Sequence, residues 1–241
     1  FENDEVLVVD KPAGLVVHSD GKTDEPSLTD WALERYPEMK DVGEPAMYDG
    51  KEIARPGIVH RLDRETSGVI VLAKTQESFE NLKKQFQERE TETIYNAFVY
   101  GEMKDDSGVI DRPMAKSRND FRKWSAQRGA RGELREAKTY YKVLKRSSAR
   151  MRNITGGKGF SYLEVSPETG RTHQIRVHFK AINHPVVADT LYAPKYEPAL
   201  GFERLALHAR SIKFSLLNGE TVTAEADLPE DFKRALTFVN S

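Results

Sequence analysis

The hydrophobic residues of the chain fall into short runs, most of which have the alternation or density typical of β-strands. Residues Asn218 and Gly219, between the last two runs, predict a hairpin turn. The runs predict strands at Val6–Val9, Leu15–His18, Val69–Ala73, Ile94–Tyr100, Ala137–Leu144, Phe160–Val165, Leu205–Phe214 and Thr221–Ala226.

Helical spacing of apolar residues marks other segments. Phe79, Leu82 and Phe86 share one face of a helix that Thr75 or Ser78 can cap. Residues 37–57 are rich in Gly, Pro and acidic residues and predict a surface loop. Further helices are predicted at Thr29–Tyr36, Thr172–Ile182 and Pro229–Val239.

Strands and helices are mixed without regular alternation, which favours an α+β fold with a mostly antiparallel sheet. A length of 241 residues favours one elaborated domain spanning 1–241. The chain has no cysteine, which excludes disulfides and thiolate metal sites and fits a reducing cytoplasm. No apolar run reaches the ~18–20 residues that span a bilayer, so we expect no membrane association. No strong exposed apolar stripe is visible, so we expect a monomer.

The charge of the chain is unevenly distributed. Between Lys116 and Arg152 there are thirteen Lys and Arg against three acidic residues, a local net charge of +10 in a chain whose net charge is −1. Such a segment is either a solvated basic surface or a local site for a polyanion.

Asp63 lies between Arg61 and Arg64 in "RPGIVHRLDRETSGVIVLAKT". Nearby cations favour the ionised carboxylate. From the spacing alone, Asp63 is either a turn residue or a catalytic carboxylate that acts as nucleophile or base.

Two further blocks offer partners for such a carboxylate. Arg176 in "GRTHQIRVHF" has the planar fork that binds a carboxylate at two points. Tyr95 in "TIYNAFVYG" is either a core aromatic or a surface on which a base stacks. His60, Asp63, His173 and His178 could form a metal site, but His173 and His178 are five residues apart and would diverge on a helix, which favours hydrogen-bonding roles.

The blocks "ENDEVLVVDKPAGLVVHS", "RPGIVHRLDRETSGVIVLAKT", "IYNAFVYG", "GRTHQIRVHF" and "LALHARSIKF" have the order and spacing of the RluA-type pseudouridine synthases, which the chain resembles over nearly its whole length. The resemblance implies the pseudouridine synthase fold, a central, mostly antiparallel mixed sheet flanked by helices and loops, with an active-site cleft across the sheet. It implies isomerisation of uridine in rRNA or tRNA, without cofactor or metal, and no DNA partner.

By this resemblance, Asp63 is the catalytic carboxylate, Arg176 pairs with it, and Tyr95 stacks on the base. Arg61 matches a side chain that enters the RNA stack as the uridine is flipped out, a step that costs a few kcal/mol. Thr93 stands where many relatives have lysine, which we expect to change only a peripheral contact. We expect further RNA contacts from His60, Arg64, Arg171, His173, Arg118, Arg122, Lys123, Arg128 and Arg131.

Many bacterial relatives carry an N-terminal RNA-binding module, which we expect to be absent here or removed. The competing interpretation is a catalytically idle RNA-binding or ribosome-assembly factor that keeps the fold, but such a factor would not need Asp63, Tyr95 and Arg176 together. A metal-dependent hydrolase has little support.

Overall fold

The structure is a computed structural model that describes residues 1–19, 21, 24–48, 50–127, 130–147 and 159–240. The chain divides into two compact units. The first unit comprises Phe1–Thr93 and Ala209–Ala226, and the second comprises Ile94–His208 and Asp227–Ser241.

The described strands are β1 (Val6–Lys11), β2 (Ala46–Tyr48), β3 (Lys51–Ile53), β4 (Ser67–Ala73), β5 (Glu92–Tyr100), β6 (Ser107–Asp111), β7 (Met114–Lys116), β8 (Trp124–Ser125), β9 (Arg131–Arg135), β10 (Lys138–Arg146), β11 (Phe160–Pro167), β12 (Leu207–Ser215) and β13 (Thr221–Glu225). The described helices are α1 (Leu28–Arg35), α2 (Gln76–Glu88), α3 (Gln174–Ala181) and α4 (Glu230–Asn240), with a 3₁₀-helix at Pro37–Asp41. Among the residues that the structure describes, no helix is long and apolar enough to cross a bilayer.

The first unit is built on a sheet in which β1 pairs antiparallel with β4, β12 follows β4, and β13 pairs antiparallel with β12. Every residue of β4 is buried, as its continuous apolar sequence predicts. Helix α2 packs on β4 with Phe79 and Leu82 buried. Ser27 and Thr75 form capping boxes at the starts of α1 and α2 and so fix where both helices begin.

The second unit has the sheet order β5–β11–β10–β6, with antiparallel pairs throughout this path. Its core contains an aromatic group in which the rings of Phe202 and Phe232 lie 5.5 and 5.6 Å from that of Phe98. Helix α3 packs against β10 and β11. Strands β8, β7 and β9 form a separate small sheet. Strand β7 leads into the basic segment, residues 116–152, and β8 and β9 lie within it.

The α+β class and the mostly antiparallel sheet are confirmed, and the predicted helices are present. The strand predicted at Leu15–His18 is wrong, because this segment makes only an isolated bridge between Val16 and Ser27. The loop predicted at 37–57 contains the 3₁₀-helix and the β2–β3 hairpin. The single-domain organisation stays a prediction.

Candidate active site

Asp63 lies in a tight turn at the entrance to β4. The Thr66 N–H donates to the Asp63 carbonyl over 3.1 Å and closes this turn. Asp63 itself is half-buried, whereas Leu62 and Thr66 are buried. The backbone that carries the carboxylate is therefore anchored by the turn.

A buried lysine, Lys11, binds the backbone of the same turn. Lys11 is fully buried, and its ammonium group donates to the carbonyls of Pro12, Leu15 and Arg64 over 2.8, 2.8 and 3.1 Å. The Gly14 N–H also donates to the Arg64 carbonyl, at 2.9 Å. These bonds offset the cost of removing the ammonium from water. The carbonyl of the residue next to Asp63 thus accepts from two donors, one at the end of β1 and one in the segment that follows it.

Gly68 brings the end of the turn close to another strand. Its φ is +110°, and a Cβ at this position would lie 2.1 Å from the Ala209 carbonyl oxygen. Only glycine fits both this conformation and this approach. The Thr-Ser-Gly part of the motif therefore has a steric role in the first unit.

His60 contacts β4 and α2. Its Nε2 accepts a hydrogen bond from the Val71 N–H at 3.0 Å, and its ring stacks on Phe86 with centroids 4.7 Å apart. Burial lowers the pKa of His60 to about 4, so the ring is neutral near pH 7. This position gives His60 a structural role, and its contact with RNA stays a prediction.

The two arginines that flank Asp63 differ in their surroundings. Arg61 and Arg64 are both exposed. Arg64 forms a two-point ion pair with Glu25, in which Nη1 donates to Oε2 at 2.6 Å and Nη2 donates to Oε1. The charge of Arg64 is therefore already shared with a carboxylate of the first unit.

Arg176 lies on α3 of the second unit and forms a two-point ion pair with Asp189. Nε donates to Oδ2 and Nη2 to Oδ1, both over 2.8 Å. Asp189 Oδ1 also accepts the N–H groups of Leu191 and Tyr192, at 3.1 and 2.9 Å. The Arg176 guanidinium lies 5.0 Å from the centre of the Tyr192 ring. The orientation of Arg176 is therefore fixed from two directions.

The start of α3 differs from the prediction. The helix begins at Gln174 rather than Thr172, because His173 adopts a left-handed conformation with φ of 58°. The side chain of Gln174 explains this start: its Oε1 accepts from the Thr169 hydroxyl at 2.6 Å and from the Arg171 N–H at 3.1 Å. His173 Nδ1 lies 2.9 Å from the Tyr192 hydroxyl oxygen.

Tyr95, Arg171 and His178 also belong to the second unit. Tyr95 is half-buried on β5, opposite Val165 of β11, and packs against the core of the unit. Arg171 is exposed, and its Nε donates to the Glu136 carbonyl at 3.1 Å. His178 is fully buried, and its ring nitrogens lie 2.9 Å from Thr139 Oγ1 and from the Arg112 carbonyl oxygen.

The basic segment presents exposed cations next to an internal acid. Arg118, Arg122 and Arg131 are exposed. Asp120 accepts from Arg122 at 3.0 and 2.9 Å and lies 3.6 Å from Lys123 Nζ, and these contacts hold the pKa of Asp120 well below its usual value. Arg128 lies outside the described residues.

Sequence reasoning missed Lys11, Asp189 and Tyr192. A lysine inside an apolar strand and an aspartate after "PVVA" are weak signals, because their importance depends on partners elsewhere in the fold. Asp63 belongs to the first unit, whereas Tyr95 and Arg176 belong to the second.

Two human proteins with solved structures have the same fold. RNA Pseudouridylate Synthase Domain Containing 4 aligns with a TM-score of 0.73 and 24% identity, over all of this chain and 92% of its own. RNA Pseudouridylate Synthase Domain Containing 1 aligns with a TM-score of 0.70 and 23% identity, over 95% of this chain and 82% of its own. The fold is that of the pseudouridine synthases.

The sequence relationships give the family. A family model described as RNA pseudouridylate synthase matches residues 5–181. Uncharacterised RNA pseudouridine synthases of Synechocystis and Aquifex aeolicus are 33% and 37% identical, each over 99% of this chain and over 68% and 72% of their own lengths. The ribosomal large subunit pseudouridine synthase D of Xanthomonas campestris is 35% identical over 98% of this chain and 67% of its own length. The chain belongs to the RNA pseudouridine synthase family, whose members are isomerases that act on RNA.

Proposed function

We propose that this pseudouridine synthase modifies uridines of ribosomal RNA, and that Asp63, Tyr95 and Arg176 act together on one uridine turned out of the RNA. In the reaction the bond from C1′ to N1 breaks and a bond from C1′ to C5 forms. The C5 proton is lost and N1 gains one, so the composition of the RNA is unchanged. Asp63 supplies the carboxylate that the resemblance assigns to this chemistry.

The anchored turn around Asp63 is the observation that supports this role best. A catalytic carboxylate must be held in a fixed position relative to its substrate. Lys11 and Gly14 fix the backbone next to Asp63, and Asp63 itself is half-buried. Arg61, two residues earlier and exposed, is suited to fill the space that the extracted base leaves, because a guanidinium is planar and can stack.

The rigid guanidinium of Arg176 supports its proposed pairing with Asp63. A guanidinium has five N–H donors, and the pair with Asp189 uses two of them. Because Asp189 keeps its plane fixed, the N–H groups of this guanidinium have set directions, which suits the two-point binding of a carboxylate. Tyr95 offers an aromatic face for the uracil ring. Arg171 and His173, at the start of α3, are proposed to contact the RNA nearby.

Ribosomal RNA is proposed as the target because relatives from several bacteria are named ribosomal large subunit pseudouridine synthase D. The exposed cations Arg118, Arg122 and Arg131, with Lys123, would contact phosphates, which set position rather than sequence choice. Single-stranded loops are the expected sites, since their bases can be turned out. The cysteine-free sequence supports action in the reducing cytoplasm, and we propose that the protein acts as a monomer.

The test compares Asp63→Asn with Asp10→Asn, a control at an exposed carboxylate of β1. Both proteins are incubated with ribosomal RNA from cells that lack the gene. We expect Asp63→Asn to form no pseudouridine while its affinity for the RNA is retained, and Asp10→Asn to behave as wild type. Turnover by Asp63→Asn would contradict the role of Asp63.

The target is tested by mapping pseudouridines in ribosomal and transfer RNA from cells with and without the gene. Loss of one or more ribosomal sites is expected in the cells without it. Loss confined to transfer RNA would contradict the proposed target and leave the role of Asp63 intact.

A further inference from the structure

A cavity of about 380 Å³ lies in the second unit. Eight residues of the segment 117–127 line one side of it, but Arg118, Phe121 and Arg122 do not. The other side is lined by Val177, Lys180 and Ala181 of α3 and by Leu191 and Tyr192. Its volume is in the range of small-molecule sites, ~300–1,000 Å³. The cavity is therefore large enough for a single nucleotide.

Part of the cavity lining is apolar and aromatic. Val177 and Tyr192 belong to a buried cluster, and Trp124 and Leu191 pack against it. Trp124 is half-buried. The Lys116 ammonium lies over its ring, 4.6 Å from the ring centre. Aromatic walls of this kind are suited to a flat ring, because base stacking on an aromatic side chain does not depend on base identity.

The lining of the cavity also carries positive charge. Lys123 and Lys180 both line it. Lys180 is exposed and is positioned by donating to the Tyr192 carbonyl at 2.6 Å. Asp120 also lines the cavity, but its charge is shared with Arg122 and Lys123. The cavity therefore matches a ligand with a flat aromatic ring and a phosphate, rather than a neutral apolar molecule.

We propose that this cavity binds one unpaired nucleotide of the RNA substrate, different from the uridine that is isomerised. The base would stack on Trp124, and its phosphates would contact Lys123 and Lys180. This inference rests on the proposed function, because RNA is the source of the nucleotide. The loop around the cavity supports RNA as the ligand, since Phe121 is 86% exposed between Arg118 and Arg122. An exposed aromatic ring among cations is suited to stacked bases and phosphates.

Tyr192 connects the cavity to Arg176. Its side chain lines the cavity and also lies under the Arg176 guanidinium, 5.0 Å from ring centre to Cζ. Its hydroxyl accepts from the backbone N–H of Trp124 at 3.0 Å and lies 2.9 Å from His173 Nδ1. A nucleotide packed against Tyr192 would restrict the residues that position Arg176. Occupancy of the cavity would thus help to select the RNA that is modified.

The two tryptophans of the chain allow a direct test. Trp31 is on α1 of the first unit, so Trp31→Phe leaves Trp124 as the single tryptophan reporter, and Trp124→Phe leaves Trp31. Both proteins are titrated with a short single-stranded oligouridylate, and fluorescence is followed. We expect the oligouridylate to quench Trp124 and to leave Trp31 unchanged. Uridine monophosphate should quench Trp124 only at concentrations roughly tenfold higher or more, because it lacks the neighbouring phosphates.

Affinity is measured in parallel by fluorescence anisotropy of labelled oligouridylate. Trp124→Ala should weaken binding by roughly fivefold or more through the lost stacking, whereas Trp31→Ala should not. Lys180→Gln should weaken binding severalfold, whereas Lys142→Gln, an exposed lysine of β10 outside the cavity, should not. Thermal unfolding of each variant checks that the fold is retained.

Binding of the oligouridylate without quenching of Trp124 would overturn the inference. Equal binding of oligouridylate and uridine monophosphate would show a site for free nucleotides and would also overturn it. Either result leaves the proposed function in place if the wild-type protein still forms pseudouridine in ribosomal RNA. Absence of pseudouridine formation by the wild type would instead contradict the proposed function.

Discussion

Arg176 and Asp189 form a buried ion pair in which two parallel hydrogen bonds of 2.8 Å fix the plane of the guanidinium. The side chain of Asp189 is fully buried, and that of Arg176 is 11% exposed. Asp189 also accepts two backbone N–H groups, so its own position is set by the chain that follows it. Asp189 is therefore a positioning residue for Arg176.

Asp189→Asn is expected to reduce kcat on the order of 100-fold with a smaller change in KM, because a small misplacement of a catalytic group is enough for such a loss. It should also destabilise the protein by about 3–5 kcal/mol, since it leaves a buried charge poorly compensated. Initial rates and thermal unfolding measure the two effects. Asp231→Asn is the matched control, because Asp231 forms a similar two-point pair with Arg204. A rate loss of equal size in the control would show a general effect of stability.

Lys11→Met is expected to destabilise the protein by about 2–4 kcal/mol and to reduce activity, because the carbonyls of Pro12 and Leu15 lose a donor in a buried site. The turn that carries Asp63 loses one of its two supports at the Arg64 carbonyl. Urea unfolding and initial rates measure these effects. Lys84→Met, at a side chain that is 69% exposed, should change stability by no more than about 0.5 kcal/mol. Unchanged unfolding of Lys11→Met would contradict the buried-donor role.

Gly68→Ala is expected to cost more stability than Gly219→Ala, although both glycines have positive φ angles. At Gly219 a Cβ meets nothing within 4 Å, so only the backbone cost of about 1–2 kcal/mol applies. At Gly68 the Cβ would lie 2.1 Å from the Ala209 carbonyl oxygen, and backbone atoms must move. Denaturant midpoints of the two variants compare the costs directly. Equal midpoints would indicate that β4 and β12 separate easily.

The stability of the protein is expected to fall as the pH is lowered from about 6.5 towards 4. Burial lowers the pKa of His60 from 6.5 to about 4, so in this range the unfolded chain binds more protons than the folded one. When His60 is protonated in the folded protein as well, the free energy of unfolding has fallen by about 3 kcal/mol through this residue. Burial lowers the pKa of His178 as well, which adds to the same slope. Urea unfolding at several pH values should show a smaller slope for His60→Gln, and an unchanged slope would contradict the role of His60.

The helices and buried strands could be predicted because their signals are local. Ser27 and Thr75 are N-cap residues at the predicted helix starts, and β4 is apolar along its whole length. The predicted strand at Leu15–His18 is wrong because the Leu15 carbonyl is bound by the Lys11 ammonium, and only Val16 forms a bridge. Strands β6 to β9 could not be predicted, since they are short and largely polar and depend on neighbouring strands.

In the candidate site, too, residues in local motifs could be predicted and residues that act through tertiary contacts could not. Asp63, Tyr95 and Arg176 stand in motifs that can be recognised in the sequence, whereas Asp189 and Tyr192 have no motif of their own. Their importance follows from tertiary contacts with Arg176 and His173. The start of α3 at Gln174 likewise depends on a hydrogen bond from Thr169, which helical periodicity cannot predict.

The aromatic group of Phe98, Phe202 and Phe232 has a consequence for synthesis of the protein on the ribosome. Phe98 comes from β5, whereas Phe232 comes from α4, more than half the chain later. The core of the second unit therefore cannot close until Phe232 has left the exit tunnel. Until then β5 and β11 carry exposed apolar side chains, and a nascent chain in that state is prone to aggregation.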